Sequence, residues 1–203
     1  MTLRDLILDD AADIDRIAGV LDDLPPEERL AETRTLGRAE QRRLYDKARK
    51  APPITLAHFV PEGTAARVEI IHDGRNTLPL PSGLKLFQKR FARPEAGGER
   101  LFGYNQSPFL GPIGPGFFVA VPTAGNPTWE ERGAVVVDYF QIPDGPVPDG
   151  WPTVVPNAKG LSRFVYHRTR DFMRRVSRHV SVGAAYKEEK ALGHYFMLCR
   201  QGA

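Results

Sequence analysis

Sixteen of the eighteen prolines lie between Pro52 and Pro156, and no proline follows. Proline has a fixed φ and no backbone N–H, so this spacing forbids long helices through the middle of the chain. Short strands joined by turns are the structure left to it. The chain therefore divides into a helical N-terminal region, residues 1–50, and a second unit, residues 51–203, made of an antiparallel sheet and a C-terminal helix.

In the first zone, "DDAADIDRIAGVL" places Ile14, Ile17, Ala18 and Leu21 on one helical face. Asp10 serves as the expected cap and Asp13 lies in the favourable first turn. Pro25-Pro26 opens a second helix, and "GRAEQRRLYDKARK" reads as a third after a break at Gly37. In the second zone, "ITLAHFV", "AARVEII", "GFFVAV" and "GAVVVDYFQI" are β-branched or aromatic runs bounded by turn residues. "HDGRN" carries the Asp-Gly pair of a tight hairpin turn, and "GPVPDGWPTVVP" reads as a crossing loop. The proline-free end reads as a long amphipathic helix, about Ser162 to Val180, followed by a closing strand "HYFMLCR". At about 100° per residue, Leu161, Val165, Thr169, Phe172, Met173, Val176 and Val180 form a single stripe. The expected fold class is α+β: helices first, then a curved antiparallel sheet able to close into a barrel, with the long helix packed on it.

Charge is polarised along the chain. Residues 1–28 carry two basic and nine acidic side chains, whereas residues 161–203 carry nine basic and three acidic. Within "HRTRDFMRRVSRH", the helical reading puts Arg170, Arg174 and Arg178 on the face away from the apolar stripe. That face can be solvated, can meet the acidic N-terminal helix, or can dock a nucleic acid or an acidic protein.

Several chemistries are disfavoured. "DDAAD" resembles a magnesium-diphosphate aspartate cluster only by composition, and helix capping accounts for it. "GPIGPGFF", Gly111 to Phe118, spends on prolines the N–H groups that a phosphate loop needs. The five histidines have no metal-pair spacing, and the single cysteine cannot form an internal disulfide, so neither a metal nor a cofactor is implied. His194 and Cys199, an odd number apart on the closing strand, point to opposite faces and cannot act as a thiol-base pair. The start of the chain lacks the basic, apolar character of a signal peptide, and no apolar run is long enough to span a bilayer, so a cytoplasmic protein with no membrane partner is expected.

The best polar cluster lies in the middle zone. His72, Asp73, Arg75 and Asn76 sit at the expected hairpin tip, ahead of "KLFQKRFARP" with Lys85, Lys89, Arg90 and Arg93. As a strand, "KLFQKRF" carries Phe87, Lys89 and Phe91 on one face, which suits either a basic group beside an apolar ligand or an edge strand guarded by lysine. Tyr104 and Asn105 in "LFGYNQSP" are candidates for a loop lining a pocket. The leading expectation is a small-molecule-binding protein with an apolar pocket and a basic, anion-recognising rim, to which a simple acid/base reaction is open. His72 is its candidate proton carrier, and Arg90, Arg93 and Tyr104 its ligand-binding residues. Two readings compete: a module that docks nucleic acid or an acidic protein through Arg170, Arg174 and Arg178, and an assembly subunit whose N-terminal helices pack on a second copy.

Overall fold

The computed structural model describes residues 1–107, 114–159 and 162–202. Residues 111–113 of the glycine-proline run and Leu161 of the expected helix lie outside the described residues. Four helices open the chain: α1 (Leu3–Leu8), α2 (Ile14–Asp23), α3 (Pro26–Thr35) and α4 (Arg38–Lys47). The Thr2 hydroxyl accepts from the Asp5 N–H, and Asp5 reaches back to the Thr2 N–H, which fixes the start of α1. Asp13, not Asp10, caps α2, its carboxylate accepting the Arg16 N–H at 2.9 Å. Asp10 is instead an exposed partner of Arg43. Ile14, Ile17 and Leu21 are buried, as the wheel requires.

The middle and end of the chain form one closed, eight-stranded, antiparallel barrel in which each strand pairs with the next and the last returns to the first. The strands are β1 (Ile70–Asn76), β2 (Leu86–Ala92), β3 (Leu101–Gln106), β4 (Gly116–Pro122), β5 (Val135–Asp138), β6 (Thr169–Arg175), β7 (Val180–Lys187) and β8 (Lys190–Arg200). A short helix, α5 (Leu56–Phe59), precedes them, and α6 (Pro127–Arg132) and α7 (Ser162–Val165) lie between strands. Alternate residues face inward and outward, giving two cores. The inner one includes Phe91, Phe118, Val137, Met173 and Leu198. The outer one joins Val180, Val182, Met197 and Cys199 of the sheet to Leu6, Ile17, Leu21 and Leu44 of the helices.

Four further expectations are corrected. The long C-terminal helix is absent: only Ser162–Val165 is helical, and the segment continues as β6, a tight turn at residues 177–179, and β7. The helical stripe was coincidental, because the same letters read at period two put Thr169, Asp171 and Met173 inside the barrel and Arg170, Phe172 and Arg174 outside. Neither face is uniformly apolar, so simple alternation was hidden. The outward arginines lie over aromatic rings, Arg170 at 4.1 Å from the Phe140 centroid and Arg174 at 4.0 Å from that of Tyr45.

"HDGRN" is not a turn either; it lies within β1. Gly74 is required there because a Cβ would stand 2.6 Å from the Phe87 ring, which fills the space over it. "ITLAHFV" forms α5 rather than a strand, and "LFGYNQ" is a strand rather than a loop. The pairing of a bare backbone with a ring recurs at Gly103 with Phe118 and at Gly183 with Phe196. An eight-stranded barrel has only enough interior for side chains or one small ligand, and alternating small and large residues fills it.

A methyl at Gly103 would meet the Arg90 backbone oxygen at 2.6 Å as well as the Phe118 ring, and backbone cannot yield cheaply. Gly103→Ala is therefore expected to cost about 1–3 kcal/mol. Gly19→Ala, in the open middle of α2, is expected to add roughly 0.5–1 kcal/mol. Equilibrium denaturation of both variants checks the contrast, and equal effects would contradict this account of the interior.

Candidate functional site

Alternation along β2 turns Phe87, Lys89 and Phe91 into the barrel, and the lysine is 1% exposed. A buried ammonium must be hydrogen-bonded on all three donors. Lys89 Nζ donates to Asp171 Oδ2 at 3.0 Å from β6, to Asn105 Oδ1 at 3.0 Å from β3, and to the Tyr139 hydroxyl just after β5. Tyr139 in turn accepts from Asn105 Nδ2 at 2.6 Å and donates to Asp171 Oδ2 at 3.2 Å. The Phe196, Tyr139 and Phe118 rings surround the ammonium at 4.9, 5.0 and 5.1 Å from their centroids.

Burial pushes the lysine below its ordinary range, while the Asp171 charge and hydrogen bond pull it back up. Burial and the same aspartate raise the Tyr139 phenol well above its ordinary value. Tyr166 stacks on Tyr139 at 5.4 Å, and burial raises it to about 12. The network therefore holds Lys89 and Asp171 as an ion pair bridged by a neutral phenol.

Above this network is a cavity of about 130 Å³. Phe87, Phe196, Tyr166, Val165, Leu78 and Leu192 give it apolar walls, and Lys89, Asp171, Tyr139 and Asn105 form its polar floor. His194 stands at the rim, half-buried, with Nδ1 lacking a partner. Among the described residues no group of three or more His, Cys, Asp or Glu is placed to hold a metal.

The residues singled out from sequence are dispersed. His72 faces inward but lies toward the opposite end of the barrel, fully buried, with Nε2 3.0 Å from the Phe59 carbonyl of α5 and its ring packed on Phe91. Arg90 and Tyr104 point outward, Arg90 pairing with Glu69 at 2.8 Å, and together they line a surface crevice of about 380 Å³ beside Gly150 and Pro152. Arg93 donates to the Val60 carbonyl at 2.8 Å, away from both. Arg170 and Arg174 both project from the outer face of β6 but meet different partners, and Arg178 lies in the turn beyond that strand. Arg170 pairs with Glu189 and Asp138; Arg174 is buried beneath α4, donating to the Tyr45 and Glu131 carbonyls at 2.7 Å; Arg178 is exposed. The acidic helix does meet this segment, through Asp22 accepting the Arg178 backbone N–H at 2.9 Å. Cys199 is buried in the outer core, where its thiol is pushed up to about 11, on the opposite face from His194.

Sequence reasoning passed over Asp171, Tyr139 and Tyr166. The signals present were a lysine alternating between two phenylalanines and Asn105, read as lining a pocket; the partners of the lysine lie up to 82 residues away.

Fold and chamber together define a closed up-and-down barrel with an aromatic-walled, lysine-floored interior. No family model, curated protein or solved structure matches the chain. No helix among the described residues is long and apolar enough to cross a membrane.

The buried histidines set an acid limit. Burial lowers His72 from 6.5 to about 4, and His58 moves the same way. The unfolded chain then binds more protons than the folded one between those values, so stability is complete above pH 6.5 and is lost as pH falls toward 4. His72 alone accounts for about 3 kcal/mol of that loss. His72→Phe is expected to flatten the profile, measured by urea unfolding at pH 7.0 and 4.5; an unaltered slope would refute the assignment.

Proposed function

We propose that this protein binds one small, largely apolar molecule in the barrel chamber, with the ligand's oxygen-bearing end on the Lys89–Asp171–Tyr139–Asn105 floor. One observation carries the reading: a fully buried, ion-paired lysine forms the floor of an aromatic-walled cavity. A cavity of about 130 Å³ is close to the roughly 150 Å³ that holds a benzene molecule, so a compound with a single ring is the right size. The polar floor favours an oxygen substituent on that ring, because such an oxygen can exchange hydrogen bonds with the floor groups and a bare hydrocarbon cannot. A simple acid/base reaction is the second reading, favoured by a lysine whose pKa is lowered and a histidine with an open ring nitrogen at the same cavity.

The test uses benzene, phenol and benzaldehyde as probes, read by thermal shift and calorimetry. Phenol and benzaldehyde are expected to bind with one site per chain and more tightly than benzene. Lys89→Met alone strands a buried carboxylate and is expected to cost about 3–5 kcal/mol. The double variant Lys89→Met/Asp171→Leu is expected to regain most of that stability and to lose the preference for the oxygenated probes. A double variant that keeps the preference, or probes that all fail to bind, would overturn the proposal.

A further inference from the structure

The barrel end remote from the chamber gathers positive charge without acidic partners. Arg175 at the end of β6, Arg178 in the following turn and Arg200 at the end of β8 converge on a cleft of about 320 Å³, with His58 of α5 in its wall. Among the described residues, no carboxylate stands within 4.0 Å of these three guanidinium groups. Among the described residues Glu62 is the one acid lining the cleft, and Asp22 accepts the Arg178 backbone N–H on both carboxylate oxygens. Nearby Asp73 is committed to Gln88, Gln201 and Arg34.

The arginines are unequally used. Arg200 is fixed in place, donating to the His58 carbonyl at 2.8 Å and meeting His179 Nδ1 at 3.0 Å. Arg175 makes one long contact to the Ser177 carbonyl at 3.4 Å, and among the described residues the side chain of Arg178 meets no hydrogen-bond or ion-pair partner. Two sets of guanidinium donors are thus available at the cleft, held close together against their mutual repulsion. Several like charges around one concavity attract an anion, and a guanidinium fork matches the oxygens of phosphate.

We propose that this cleft is a phosphate-binding site that takes the dianionic group of a phosphomonoester, with Arg175 and Arg178 gripping its oxygens and Arg200 as fixed positive backing. The volume leaves room for more than the bare anion, so the ester group of a monoester can be accommodated beside it. This site is separate from the chamber and does not depend on what the chamber binds.

The experiment is calorimetry on the full chain at constant ionic strength, with inorganic phosphate and phenyl phosphate as probes and chloride as the control. Both phosphates are expected to bind once per chain, phenyl phosphate more tightly. Arg178→Gln is exposed and safe for folding, and it is expected to weaken both by about tenfold or more. Arg175→Gln should act in the same direction, whereas Lys89→Met/Asp171→Leu should leave phosphate affinity unchanged. Chloride matching phosphate, affinity unmoved in both arginine variants, or binding confined to nucleic acid with no response to either phosphate would each overturn the proposal.

Discussion

A lysine ammonium taken out of water needs three acceptors at fixed positions, and no single strand can supply them. In this protein they come from β3, β6 and the residue following β5, which meet around β2 only because the sheet closes on itself. An open sheet would leave Lys89 facing solvent and Asp171 on a different edge. The ion pair and the closure of the barrel are therefore one constraint, and the chamber's chemistry follows from it. With floor donors and acceptors already engaged to one another, a ligand's polar end must compete for bonds that exist rather than fill vacancies. That requirement favours small, single-substituent molecules over charged ones.

The two faces of the sheet solve different packing problems. Inside, glycines at 74, 103 and 183 let rings from neighbouring strands lie against bare backbone, so that a narrow barrel accommodates several phenylalanines and still retains a cavity at one end. Outside, the N-terminal helices cover β7, β8 and β1 with an aliphatic core. Elsewhere on the outer wall, the guanidinium groups of Arg170 and Arg174 lie over Trp129, Phe140 and Tyr45, and carboxylates and carbonyls accept their hydrogen bonds. The ends of the barrel also differ: one holds an apolar chamber, the other an arginine cleft sealed from within by Phe59 and His72.

Legibility in the sequence followed how local each determinant was. The amphipathic N-terminal helix could be read because the Ile14–Ile17–Leu21 spacing acts within two turns, although its cap is Asp13 and not the expected Asp10. β2 could be read because Phe87, Lys89 and Phe91 alternate, although whether that face was inner wall or free edge depended on a closure no local pattern records. Asp-Gly in "HDGRN" was misread because a glycine demanded by a ring thirteen residues on looks the same as one demanded by a turn. The segment Thr169–Val180 was misread because its inward face carries Asp171 for a distant lysine and its outward face carries arginines for distant rings. Both exceptions break the period-two signal and leave a chance match to period 3.6.

The sequence alone therefore determined a proline-rich sheet preceded by helices, the absence of metal-pair spacing, and which residues can carry charge. Tertiary structure alone decided that the sheet closes, that Lys89 meets Asp171, and that Arg175, Arg178 and Arg200 crowd one cleft while Arg170 and Arg174 are spent on internal contacts. The physical reason is range. Turn and helix preferences are set by neighbours in the chain, whereas the partner of a buried charge is chosen by whichever strands closure brings across the barrel.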